Sequence, residues 1–194
     1  GRLFAEDALQ GLRMIDHCRE VFDVVVMNPP FGEFSESQRD FARDTFTSGS
    51  HDILTAFVEV AIAKLKQNGL LGAITSRTSF FAPTTTSWRE EVILEHQLRA
   101  WIDLGDGVLD DAMVETCAYV VENCPETDCA VFLSANESSL LEAAKCFRLN
   151  METEEKFYSV RPRTFSKTKG SPFAYWLEPE LLQVSNSFSS LDNS

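Results

Sequence analysis

The residues with the most chemical content are Asn28-Pro29-Pro30-Phe31. They close a β-branched run, Phe22 to Met27 (FDVVVM), which reads as a buried strand stopped by prolines that cannot donate to a ladder. In an open α/β sheet, ligands bind at the C-terminal ends of strands. These residue types suit the alkylation of an exocyclic amine whose lone pair is delocalised into a ring. Such a nitrogen is a poor nucleophile. Two acceptors on its two N–H groups would favour a pyramidal nitrogen and aim the lone pair at an electrophile. The Asn28 side-chain oxygen can be one acceptor and the Pro29 carbonyl the other. Consecutive prolines fix φ, so that carbonyl is held in place beforehand, with Pro30 stiffening the turn. Phe31 offers a face on which a base can stack, worth ~1–3 kcal/mol. No general base with a tuned pKa is required, because the product ammonium loses its proton readily.

The elements that must position this turn follow from periodicity. Asp52 can cap a helix to about Asn68, with Ile53, Leu54, Phe57, Val58, Ala61, Ile62 and Leu65 on one face and Gly69 as the stop. Leu70 to Thr75 reads as a second buried strand, Ser87 to Gln97 as a helix and Leu98 to Leu104 as a third strand. Thr116 to Glu122 and Cys129 to Leu133 are two more strands, joined by a turn at Pro125 that permits a hairpin, and Glu137 to Phe147 looks helical. This order predicts an α/β fold: a mostly parallel sheet covered by helices, with an antiparallel edge hairpin.

The 194 residues suit one domain or a piece of a larger protein, and Gly1, with no signal sequence near it, suggests a start in mid-domain. The net charge of −13 disfavours a compact, stand-alone nucleic-acid binder. The locally basic strip is RPRTFSKTKG, which carries Arg161, Arg163, Lys167 and Lys169 and no acid. It reads either as a solvated loop or as a contact to a DNA backbone. Phe173, Tyr175 and Trp176 read as packing residues. No run is long and apolar enough for a membrane span. The five cysteines include no C-x-x-C pair and no histidine completes a metal site, so reduced thiols of a cytoplasmic protein are expected, with no metal.

With these residues in view, the chain resembles a known family. N-P-P-[FY] after a hydrophobic strand is similar to the fourth motif of amino-group methyltransferases that use S-adenosylmethionine. The surroundings resemble the N6-adenine DNA methyltransferases of the type IIG restriction-modification and BREX phage-defence kind. The resemblance spans roughly Leu3 to Glu122 and implies a Rossmann-like fold. It also implies methyl transfer to N6 of an adenine flipped out of double-stranded DNA, by a cytoplasmic protein that is prokaryotic or phage-encoded. Glu6-Asp7-Ala8 resembles the acidic third motif, which implies that Asp7 contacts the cofactor's adenine. DILTAFVEVAIAKLKQNGLLGAITSRTSFF and SWREEVILEHQLRAWIDLGDGVLDDAMVETCAYVV resemble the supporting helix and strands, and SPFAYWL a segment that follows the catalytic core in the large enzymes. There are two departures. The family's glycine-rich cofactor loop and its ribose-binding acid belong before Asp7 and are absent from the chain. Val108 and Leu109 stand where the family often has a second aromatic. The expected organisation is residues 1–135 as the C-terminal part of the catalytic domain and residues 136–194 as an extension toward a target-recognition region, which the chain does not include.

Other readings share parts of this pattern. Gly105-Asp106-Gly107 imitates a cofactor loop of a permuted enzyme, but Val108 to Glu115 is too short for a parallel crossover. RNA guanine N2 and a protein glutamine amide also present an NH2 that two acceptors could grip. A non-catalytic methyltransferase-fold interaction module is the alternative of another class.

Overall fold

In the computed structural model, which describes residues 19–105, 115–134 and 157–177, FDVVVM forms β1 (Phe22–Met27). It pairs in parallel with β2 (Leu65–Ser76), Met27 opposite Ala73. Its expected burial is not met. Among the described residues β1 lies at the sheet edge, with Val24 and Val26 57% and 80% exposed, while Val25 and Met27 pack against the core. Side chains alternate across a strand, and a β-branched run reports strand preference rather than how many faces are covered.

Between these strands lie α1 (Arg39–Thr45) and α2 (Ile53–Ala63). Asp52 caps α2 as expected: its carboxylate accepts from the Thr55 N–H at 2.8 Å, and the Thr55 hydroxyl accepts in return from the Asp52 N–H. Leu54, Val58, Ala61 and Ile62 are its buried face. The helix ends at Ala63, short of Asn68, because Leu65 is already paired with Phe22. Asn68 sits at φ 62, and a Cβ at Gly69 would lie 3.0 Å from the Phe22 carbonyl oxygen. The helix expected over Ser87 to Gln97 is an α-turn, Thr86–Trp88, running into a π-turn, Arg89–Ile93.

The remaining strands are β3 (Gln97–Gly105), β4 (Thr116–Glu122), β5 (Ala130–Ser134) and β6 (Phe157–Val160). The sheet order is β1-β2-β4-β3-β5-β6. β1, β2, β3 and β5 run one way, while β4 and β6 are reversed. The fold is thus α/β with a mostly parallel sheet and an antiparallel edge, formed by β5 and β6. The strands either side of Pro125, which could have paired as a hairpin, are separated by β3. The buried Gln97 side chain draws the connection across the start of β3. Its oxygen accepts from the Thr127 and Asp128 N–H groups at 2.8 and 2.9 Å, and its nitrogen donates to the Leu98 carbonyl. The helix expected over Glu137 to Phe147 lies outside the described residues.

Aromatic rings fill the core on one side of the sheet. Phe80 has ring contacts with Trp88, Trp101, Tyr119 and Phe173 at 5.0–5.7 Å, and Phe132 with Phe165 and Tyr175. Such pairs add ~0.5–1.5 kcal/mol each beyond the area they bury. Phe165, Phe173 and Tyr175 come from the far end of the sequence and are packed as tightly as the residues of β3 and β4.

Candidate active site at the end of β1

Asn28 leaves the C-terminal end of β1 exposed to solvent, and among the described residues its side chain has no hydrogen-bond partner. Pro29 is buried and Pro30 exposed. The turn is anchored where Gly32, at φ 135, offers its carbonyl to the Ile53 N–H at 3.0 Å, so the start of α2 fixes the motif. Phe31 is 37% exposed and lines a cavity of about 320 Å³ with Asp52, Leu54, Ser76, Thr78, Ser79, Ala82 and Thr85. A second cavity of about 530 Å³ shares Glu33, Asp52, Thr84 and Thr85 with the first and adds Phe34, Arg39, Arg43, Ser50 and His51. Arg39 lies 3.4 Å from Glu33 and Arg43 2.5 Å from Asp40. The rim of the joined cavities is therefore of mixed sign, despite the acidic chain.

The wall facing Phe31 is made of two short 3-10 turns, Arg77–Phe80 and Pro83–Thr85. One fully buried cation holds it. Arg89 Nη1 donates to the Ser79 and Ala82 carbonyls and the Thr85 hydroxyl at 2.7, 2.9 and 2.8 Å. Nη2 donates to the Thr86 hydroxyl and the Gly170 carbonyl, and Nε to the Ser171 carbonyl at 3.0 Å. Burial pulls the Arg89 pKa down to about 10, against the opposing pull of Glu90, so the guanidinium remains charged at neutral pH. At the start of the first turn, Arg77 Nε lies 2.9 Å from Asp103 and Nη1 bonds Glu115. Burial works against the Arg77 charge, but the Glu115 hydrogen bond and the Asp103 charge outweigh it and raise its pKa. Nothing in the spacing of Ser79, Thr85 and Arg89 marked them as site residues. The Thr-Ser-Phe that follows β2, where polar residues succeed an apolar strand, was the available signal.

Of the other expected site residues, Asp7 lies outside the described residues, as do Val108 and Leu109. Arg161, Arg163, Lys167 and Lys169 are all exposed. The structure does not bring Arg163 to the cavity. Its N–H bonds Glu126 at 2.8 Å and its guanidinium lies 3.8 Å from Glu95, near the N-terminal end of β3, whereas Asn28 is at the C-terminal end of the parallel β1. Lys169 precedes Gly170, which Arg89 ties to the cavity wall. Cys117, Cys124 and Cys129 are free thiols. Among the described residues no group of three or more acids, histidines or cysteines could hold a metal ion, and no helix is long and apolar enough to cross a membrane.

A parallel β1-β2 pair, a reversed strand inserted between β2 and β3, and a proline-stiffened turn at the sheet's C-terminal edge define the Rossmann-like fold of methyltransferases that use S-adenosylmethionine. Solved structures share it. They include a modification subunit of a putative type I restriction enzyme from Vibrio vulnificus (14% identity, TM-score 0.59, 73% of this chain and 34% of that one). The type IIG restriction endonuclease BpuSI (16%, 0.61, 80% and 21%) and the type I restriction enzyme EcoKI M protein (15%, 0.58, 89% and 48%) are similar too. The chain spans less than half the length of each, and identities this low speak for the fold alone. Residues 5–108 match the Eco57I restriction-modification methylases, and the chain belongs to that family. No curated protein matches it.

Proposed function

We propose that the protein, cytoplasmic and prokaryotic or phage-encoded, transfers a methyl group to N6 of an adenine flipped out of double-stranded DNA, in a restriction-modification or phage-defence system. The observation that carries this reading is the state of Asn28: an exposed carboxamide without a partner among the described residues, at a sheet's C-terminal edge, three residues from an aromatic face that lines a cavity. Asn28 and the Pro29 carbonyl accept from the amine and Phe31 stacks on the base. The nitrogen would gain the methyl as the donor's S–CH3 bond breaks and its electron pair stays on sulfur, and the resulting ammonium would lose a proton to solvent. Extrusion of the base costs a few kcal/mol, which stacking and the two hydrogen bonds offset.

S-adenosylmethionine would supply the methyl as an electrophile. Holding the cofactor is a separate task from gripping the amine. The resemblance gives that task to Asp7, outside them, and to a glycine-rich loop that the chain does not contain. The described residues therefore account for the substrate side of the reaction. We assign residues 1–135 to the catalytic domain and 136–194 to the approach to a target-recognition region. That region would carry most of the positive surface that a chain of net charge −13 lacks, with Arg161, Arg163, Lys167 and Lys169 as secondary phosphate contacts.

The test supplies the full-length protein with methyl-labelled cofactor and separates DNA, RNA and protein. Label in DNA, recovered as N6-methyladenine and lost in Asn28→Ala, is the expected result. Label in RNA or in a glutamine amide, with none in DNA, overturns the substrate. Cofactor binding without transfer to any of them favours an interaction module.

A further inference from the structure

The segment SPFAYWL divides between two environments. Phe173 and Tyr175 are buried, whereas Trp176 is 46% exposed. Trp176 is nonetheless held in a built stack. Its ring lies 5.8 Å from Phe81 at 28° and is braced edge-on by Tyr175 at 5.0 Å and 83°. On Phe81, in turn, sits the Arg77 guanidinium, 4.9 Å from the ring centroid and anchored by Asp103 and Glu115. An exposed indole is thereby fixed in orientation, which core packing does not require.

The position of this stack gives it a use. Met27 pairs with Ala73, so Arg77, which directly follows β2, lies at the same sheet edge as Asn28. Thr78, Ser79 and Ala82 line the same cavity as Phe31, and Phe81 lies between Ser79 and Ala82 in the chain without lining it. Extruding a nucleotide leaves neighbouring bases without a stacking partner, at the rim of whatever pocket receives it. Base–aromatic stacking suits such a base because every base has a π-face.

Resting on the DNA reading above, we propose that Trp176 is a nucleobase-stacking platform. Backed by Phe81, Tyr175 and Arg77, it receives a base left unstacked beside the extruded adenine.

The protein itself provides the readout. Trp88 and Trp101, the other two tryptophans of this chain, are fully buried, so Trp176 is its solvent-facing fluorophore. The probe is a duplex oligonucleotide with one mismatched adenine, titrated into the full-length protein and its Trp176→Phe and Trp176→Ala variants. The wild-type emission should be quenched by an amount missing from Trp176→Phe. Trp176→Ala should bind about tenfold more weakly, as the loss of one stacking contact implies. Trp176→Phe should recover most of the affinity, and the slope of affinity against salt should be the same in all three, because no phosphate contact is touched. Equal thermal midpoints show that the variants fold. Equal affinity of Trp176→Ala and wild type, or equal losses in the Ala and Phe variants, overturns the platform. Quenching by an unstructured peptide and none by DNA overturns it in favour of a protein partner. The substrate reading is judged separately, by whether label enters DNA at all.

Discussion

Arg89 permits a prediction in which hydrogen bonding and packing give opposite orders. Replacing it with alanine leaves the Ser171 carbonyl without its donor, the one Thr85 hydroxyl proton to be shared between the Ser79 and Ala82 carbonyls, and Gly170 with only a 3.4 Å contact from the Thr86 hydroxyl, whose shorter bond goes to Pro83. A hydrogen bond to a charged group is worth ~1.5–3 kcal/mol, and a buried orphan costs ~1–3 kcal/mol. Water entering the space recovers part of this, so Arg89→Ala should cost about 3–5 kcal/mol, within reach of the whole stability of many domains. Lysine keeps the charge and three donors, and Arg89→Lys should cost about half as much. Methionine fills the space, donates nothing and keeps water out, so Arg89→Met should be at least as damaging as alanine. A residue that served only to fill volume would give the reverse, with methionine mildest. Urea unfolding at neutral pH, followed by both near- and far-ultraviolet circular dichroism, measures the order. Methionine as the mildest of the three would refute the reasoning.

Other consequences are narrower. Asn28→Ala should lower kcat about 10²–10³-fold in single-turnover methylation while leaving the thermal midpoint unchanged, since the side chain is exposed and unpaired among the described residues. Gly49→Ala should destabilise by about 1–3 kcal/mol in the same urea assay, because its Cβ would sit 2.8 Å from the Thr55 carbonyl oxygen and 2.9 Å from the Ala56 Cα. That corner is already drawn tight by Glu59, which accepts from the Thr47, Ser48 and Gly49 N–H groups. Burial pushes the Cys117 thiol up to about 12. Its folded value exceeds its unfolded one, so the contribution is complete below pH 9 and falls away as pH rises through about 12. Iodoacetamide at pH 8.5 should therefore modify the exposed Cys129 in the native protein and reach Cys117 only after unfolding, as peptide mapping will show.

What could be read from the sequence was what chain neighbours decide. The Asp52 cap and Thr55 lie three residues apart, β4 is bounded by its own alternation, and Asn28 to Phe31 follow directly from the strand they end. What escaped was set by partners distant along the chain. No local pattern distinguishes a hairpin of β4 and β5 from two strands with β3 between them. The choice is made by the Gln97 amide, 30 residues before the Thr127 N–H it captures. Equally, no local pattern says that Val24 and Val26 lie on an uncovered face, since alternation fixes which residues share a side and not what lies opposite.

The same division runs through the site. Its chemical half is four consecutive residues, and its geometric half is a wall held by a cation whose farthest acceptor is 82 residues away. On the proposed function, an acidic chain can carry such a site because whole-chain charge and cavity charge are separate quantities. The net value of −13 is spread over the molecule, while Arg39 and Arg43 stand around the cavity that adjoins Phe31, with Glu33, Asp52 and Asp40 as their local counterweights. Exposed ion pairs of this kind contribute little to stability and can exchange a carboxylate for a phosphate at small cost. A rim of mixed sign is thus compatible with the polyanion of the proposed function, where a rim of acids alone would not be.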